Sequence, residues 1–292
     1  MEMYATFLAL TLAAPLQGPP GTDIFLATLS VKDGRAVVGT PANVTHRPGY
    51  DNQPFFLAKG EAFLYTAVVD GQADIFRYHV AAARSVRVTA TPESEYSPTP
   101  LPDGSGFSVV RVEADSTQRL WRFDWDGSHV ALVLAGVKPV GYHAWGDPHT
   151  VALFVLGRPA TLQVADTRSG TATPVASDIG RGLQRVPGRQ RPAVSFVQKG
   201  ADSAWSVAEL DLSTRQVRVL VATLKGMDLY AWTPGGVLLM AQGAKLFQWN
   251  PARSAEWEEV ADFAGAGLQN ITRLAVSPRG DRLALVAADP AP

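Results

Sequence analysis

One short phrase recurs along this chain of 292 residues and limits what it can fold into. An apolar residue is followed by a turn rich in proline, glycine and aspartate, and then by a short apolar strand. The phrase begins at Leu57, Leu101, Trp145, Val186, Trp232 and Val276, positions 44, 44, 41, 46 and 44 residues apart. Near-constant spacing of this length marks a repeat architecture, in which each unit is one supersecondary element that buries its apolar face only against its neighbours.

Each copy holds more than a hairpin. A third segment, rich in aromatic and β-branched residues, starts at Ala73, Gln118, Ala160, Ser203 and Ala244. A fourth starts at Ser85, His129, Thr171 and Gln216, with a weaker version at Glu256. Partial alternation of apolar and polar residues makes these strands, and polar turns such as Asp124–Gly127 and Asp166–Gly170 join them. No helical spacing of apolar residues occurs beyond the N-terminal run. The unit is a four-stranded antiparallel meander, and the fold class expected is an all-β, six-bladed β-propeller.

The copy at Val276 runs out after two strands. Its missing outer pair reads at the other end of the chain, as TDIFLATLS from Thr22 and GRAVVGTPANVT from Gly34. The N- and C-terminal strands are thus expected to share one blade, where backbone hydrogen bonds hold the ring shut. Residues 22–292 form a single domain in this reading, with no room for a separate catalytic domain.

Composition narrows the function classes. With 46% hydrophobic residues the chain can bury a large core, and a net charge of −1 gives no broad surface for nucleic acid or anionic lipid. There is no cysteine, which excludes disulfides, thiolate metal sites and a cysteine nucleophile. The uncharged run Tyr4–Leu16 is too short to span a membrane but fits the apolar core of a signal peptide. Glu2 stands where a positive charge belongs, and Pro15 spoils the best cleavage site. Residues 1–21 read as a signal peptide or a disordered N-terminus, and the protein as periplasmic or secreted.

The stretch NVTHRPGYDNQPFFLAKGEAFLYTA from Asn43, with EYSPTPLPDGSGFSVVRV from Glu95 and VSPRGDRLALVA from Val276, resembles the propeller repeat of the TolB family. In that repeat a threonine-ended outer strand leads to an acidic or amide residue, then a Ser-Pro-Asp-Gly-type turn and a strand. The resemblance implies six blades, a periplasmic setting, and a propeller mouth that binds protein partners of the cell envelope. The α/β domain that precedes the TolB propeller has no counterpart in the repeats.

Residues just before each anchor are expected at the mouth of the central channel. Six positions before the anchors stand Asp51, Glu95, Pro139, Gly180, Gly226 and Asn270; four before stand Gln53, Ser97, Gly141, Gly182, Asp228 and Thr272. Together with Tyr50, Asn52, Tyr96, His143, Arg181 and Tyr230 they give a polar, partly acidic arc facing a glycine-rich one. This ring suits a peptide segment or a polar small molecule. His143 and His149, flanking a turn, read as a solvated pair, and the anchor tryptophans as packing between blades.

No nucleophile elbow, zinc helix, phosphate loop or dinucleotide fingerprint occurs. The reading favours a monomeric, non-enzymatic binding scaffold without a cofactor, whose partner is a protein or peptide of the cell envelope or a polar small molecule. Two alternatives stay open: a hydrolase or lyase with a metal or carboxylate centre in the channel, and a structural module docking through its blade edges.

Overall fold

A computed structural model describes residues 20–288, the side chain of Ser203 aside, and the N-terminal run read as a signal peptide lies outside them. Six antiparallel sheets, each with four strands in meander order, stand around a central channel. From the channel outward, the first blade is Asp51–Phe56, Ala62–Val69, Gln72–His79 and Arg84–Arg87. The second is Ser94–Pro100, Gly106–Val112, Gln118–Asp124 and Ala131–Leu132. The third is Val140–Trp145, Thr150–Val155, Thr161–Asp166 and Thr171–Ser177. The fourth is Ile179–Arg185, Ala193–Gln198, Ser206–Asp211 and Val217–Ala222. The fifth is Tyr230–Trp232, Leu238–Gln242, Lys245–Trp249 and Glu258–Asp262.

The sixth blade joins both ends of the chain. Arg273–Val276 pairs with Arg282–Ala288, which pairs with Thr22–Lys32 from Thr22 opposite Ala288 to Thr28 opposite Arg282. The outer strand is split into Arg35–Val38 and Ala42–Asn43, both against Thr22–Lys32. Gly39 sits at the break, where a Cβ would come within 2.3 Å of Thr28 Oγ1. The shared blade expected from the sequence is therefore present.

Local chemistry explains the hairpins. Asp33-Gly34 and Asp70-Gly71 each join two strands as two-residue loops with positive φ at both positions. That conformation matches strand twist and favours Asp-Gly. The apolar residues of the strands gather in six clusters, one at each junction between neighbouring blades. At the first of these Leu64 and Ile75 meet Val109 and the stacked rings of Phe107 and Phe123. Trp145 and Trp249 are buried in such clusters, and Trp257 Nε1 bonds the Ala222 carbonyl of the preceding blade at 2.7 Å. The tryptophans pack between blades, as the sequence implies.

The repeat register differs from the one read off the sequence. Leu57 N and Leu101 N bond the carbonyls of Ala62 and Gly106 across the turn, both at 2.9 Å. In the third, fifth and sixth blades the matching donors are Gly146, Thr233 and Ser277. The anchors Trp145, Trp232 and Val276 are instead the last residues of their inner strands. Half of the anchors thus stand one residue earlier than the other half. Apolar character had selected the tryptophan or valine over the small residue that makes the turn.

The channel and its mouth

Side chains alternate between faces of a strand, so a slip of one residue exchanges the residues aimed at the channel for those aimed between blades. Counted from the true strand ends, the third residue back is Gln53, Ser97, Tyr142, Gly182, Leu229 and Arg273. All six line the channel, around a cavity of about 60 Å³. Three of the six, Tyr142, Leu229 and Arg273, are absent from the site expected from the sequence.

Tyr142 and Arg273 stand on the third and sixth blades, opposite one another in the ring, and meet across the channel. The Arg273 guanidinium lies 5.3 Å from the Tyr142 ring centre, a cation–π contact. Its Nε donates to Asn52 Oδ1 at 3.1 Å, and Nη2 lies 3.5 Å from the Tyr142 hydroxyl. Around this bar stand Tyr50, Tyr96 and Arg181. Burial pushes the Tyr50 hydroxyl up to about 12, and nearby Arg273 opposes that rise.

The acids at the start of the first two inner strands turn away from solvent. Asp51 is fully buried, its Oδ1 2.5 Å from Arg47 Nη2, while Arg47 also holds the carbonyls of Val68 and Tyr50. Glu95 is fully buried as well, accepting from the hydroxyls of Thr89 and Thr91, with Arg111 Nε 3.5 Å away. Thr45 and Thr89 tie the preceding outer strands to Ile24 N and Ile75 N. These acids therefore latch one blade to the next. Burial raises Asp51 to about 6 and Glu95 to about 7, against the lowering hydrogen bonds of Arg47 and of the two threonines. Asn52 and Gln53 stitch the same region: Gln53 Oε1 accepts from Thr66 and from Ser97 N of the next blade. Gln53 and Ser97 hold φ of 59° and 55° inside bulges of their inner strands.

The glycine-rich side is filled, not open. Arg181 grips Asp228 with Nε and Nη2 at 3.0 and 2.8 Å, and its backbone N adds a third bond at 3.0 Å. Burial pushes the Asp228 carboxyl up, but the hydrogen bonds from Arg181 win and hold it below the usual range. Gly180 and Gly182 are needed because a Cβ on them would meet Asp228 Cβ at 2.7 Å and Asp228 O at 2.3 Å. Arg181 and Asp228, both expected at the mouth, form one ion pair between the fourth and fifth blades.

His143 is not solvated. It is 6% exposed, with Nε2 2.7 Å from Ser108 Oγ, which also takes the Trp145 indole at 2.9 Å and reaches the Thr99 carbonyl. The same hub recurs two blades on, where Ser195 Oγ takes Tyr230 OH and Trp232 Nε1, both at 2.9 Å. His143 and Tyr230 are repeat equivalents that each hydrogen-bond a serine of the preceding blade. Nδ1 of His143 is buried without a partner among the described residues. Burial lowers the His143 pKa to about 3. His149 is exposed.

Asn270 and Thr272 are exposed on the rim. They border a cleft of about 210 Å³ between the fifth and sixth blades, which also includes Arg181, Asp228, Arg273, Leu229 and Leu274. The structure thus brings Tyr50, Asn52, Tyr96, Arg181, Asn270 and Thr272 to one mouth. It sinks Asp51, Glu95, His143 and Tyr230 into the blade junctions beneath. Among the described residues, no three His, Cys, Asp or Glu side chains stand close enough to share a metal ion, and no helix is long and apolar enough to cross a membrane.

Solved structures with this architecture fall into several activities. A TolB candidate from Agrobacterium tumefaciens superposes with a TM-score of 0.70 at 15% identity, over 94% of this chain and 100% of that one. TolB from Acinetobacter baumannii gives 0.60 at 12% identity, over 91% of this chain and 64% of that one. An oligogalacturonate lyase from Vibrio parahaemolyticus gives 0.52 at 12% identity, over 92% and 98%. No protein-family model matches the chain, and no curated protein matches it in sequence. The chain is a six-bladed propeller of TolB-like fold. At these identities the likeness concerns the fold alone.

Proposed function

We propose that the protein is an exported, monomeric binding propeller that recognises an extended segment of a cell-envelope protein at the channel mouth. The observation that carries this reading is the bar of Arg273 on Tyr142. It spans the channel and presents a guanidinium among aromatic rings, the residue types that dominate binding hot spots. Export rests on the N-terminal run and on the TolB-like fold. The lyase or hydrolase reading gains less support, because Asp51, Glu95 and Asp228 are each engaged by arginine or threonine within a blade junction.

The test is site-specific photocrosslinking in cells, with the probe placed at Thr272 on the rim or at Val219 on the outer strand of the fourth blade, 65% exposed. A protein adduct from Thr272 that Val219 does not give is expected. Adducts from Val219 alone would establish docking through a blade edge instead.

A further inference from the structure

Arginines of the mouth differ in one respect. Arg47 is matched to Asp51, Arg181 to Asp228, and Arg111 to Glu93 and Glu95. Arg273 has no carboxylate within ion-pair reach among the described residues. Its Nε is spent on Asn52, and among the described residues its terminal nitrogens have only the Tyr142 hydroxyl at 3.5 Å. A guanidinium is a planar fork built for a carboxylate. Lying on an aromatic face inside a half-closed mouth, this one is oriented before any ligand arrives.

The neighbouring cleft supplies the rest of a site. Arg273 and Leu274 belong to both the channel cavity and the 210 Å³ cleft, so an anion on Arg273 has its remainder directed there. The cleft is walled by Met227, Leu229, Ala241 and Ile271, and a Cβ on Gly226 or Gly243 would meet nothing within 4 Å. Such a place takes an apolar group of moderate size beside a negative charge.

We propose that Arg273 receives the C-terminal carboxylate of an extended peptide, with the apolar side chain of its last residue in the cleft between the fifth and sixth blades. The inference rests on the mouth-binding reading and names the chemistry of its ligand. The guanidinium exchanges water for two parallel N–H···O bonds, and Arg181, half-exposed but held by Asp228, adds positive potential at the cleft's edge.

The test is fluorescence anisotropy on the full chain. The probe is a hexapeptide Ser-Gly-Ser-Gly-Ala-Leu, dyed at its N-terminus, offered as the free acid and as the C-terminal amide. Amidation should weaken binding by about tenfold, as should Arg273→Gln toward the acid, in line with loss of a charge-assisted pair. Toward the amide, Arg273→Gln should change nothing further, so the two losses do not add. Arg273→Lys, which keeps the charge and loses the fork, should fall between and guards against a folding defect. Equal binding of acid and amide, no binding of either, or additive losses would overturn the inference. So would binding of galacturonic acid, read by calorimetry, where the free-acid peptide fails, which moves the carboxylate to a sugar. Should the crosslink from Thr272 persist under any of these results, the mouth-binding reading stands and only the carboxylate assignment falls.

Discussion

The two sides of the mouth each carry buried carboxylates, yet they treat them in opposite ways. On the side of the first and second blades, Asp51 and Glu95 are sunk so deeply that burial outweighs their arginine and threonine partners, and both are raised. On the side of the fourth and fifth blades, Asp228 receives both arms and the backbone N–H of Arg181 and is lowered. The difference lies in the balance between burial and the hydrogen bonds a carboxyl receives, so the mere presence of an arginine does not decide whether a buried acid is stabilised as an anion. It also makes the two arcs answer pH in opposite senses.

The largest expected break in this comparison is Gly182→Ala. The added methyl would lie 2.3 Å from the Asp228 carbonyl and 2.9 Å from the Tyr230 ring, with backbone on one side and a packed hub on the other. A loss of about 3 kcal/mol is expected in chemical denaturation, the upper range for forced overpacking. A loss below about 1 kcal/mol would mean that this arc is looser than its contacts indicate.

A pH experiment sharpens the contrast. Glu95 is raised in the folded state, so its contribution to stability is full below its ordinary pKa of 4.5 and is lost as pH rises through about 7. Asp51 acts in the same sense between 3.8 and about 6. Glu95→Gln keeps an acceptor for one of the two threonines, offers an N–H to the other hydroxyl, and cannot ionise. Relative to wild type it should gain on the order of 2 kcal/mol between pH 4.5 and pH 8, read from denaturation midpoints. A constant difference across that range would show that Glu95 does not titrate with folding.

The smallest effect belongs to Arg181→Gln. It leaves the Asp228 carboxylate buried without its fork, but Arg181 is 52% exposed and water can replace part of what is lost. About 1 kcal/mol of destabilisation is expected at neutral pH. The lowered pKa of Asp228 gives stability above its ordinary 3.8 that is lost as pH falls through the folded value, so the mutational gap should shrink in acid. A gap that persists there would trace to packing alone.

The sequence places several residues near the channel mouth, but not how they are arranged there. Asn52, Arg181, Asn270 and Thr272 stand at the mouth, because each lies at or just before the start of an inner strand. Asp51 and Glu95 read as an acidic rim because nothing in a sequence distinguishes an acid facing water from one folded back onto Arg47 or Thr89. His143 looked solvated beside a turn; only its equivalence to Tyr230, each bonded to a serine of the preceding blade, reveals the hub. Arg273 and Tyr142 could have been found by one signal. The small turn residues Gly146, Thr233 and Ser277, aligned in place of the larger anchors beside them, put both residues on the channel position.

The sequence by itself determined the six blades, their strand order and the shared closing blade. Those follow from a period near 44 residues, strand-like alternation and turn chemistry, all of which are local and repeated. Tertiary structure alone decided which side chains face the channel and which lock the junctions. Alternation has a period of two, so one residue of slip, or one bulge at Gln53 or Ser97, reverses the facing of everything beyond it. The repeat that first limited the fold is tolerant of such a slip, whereas a guanidinium meeting a tyrosine across the channel is not.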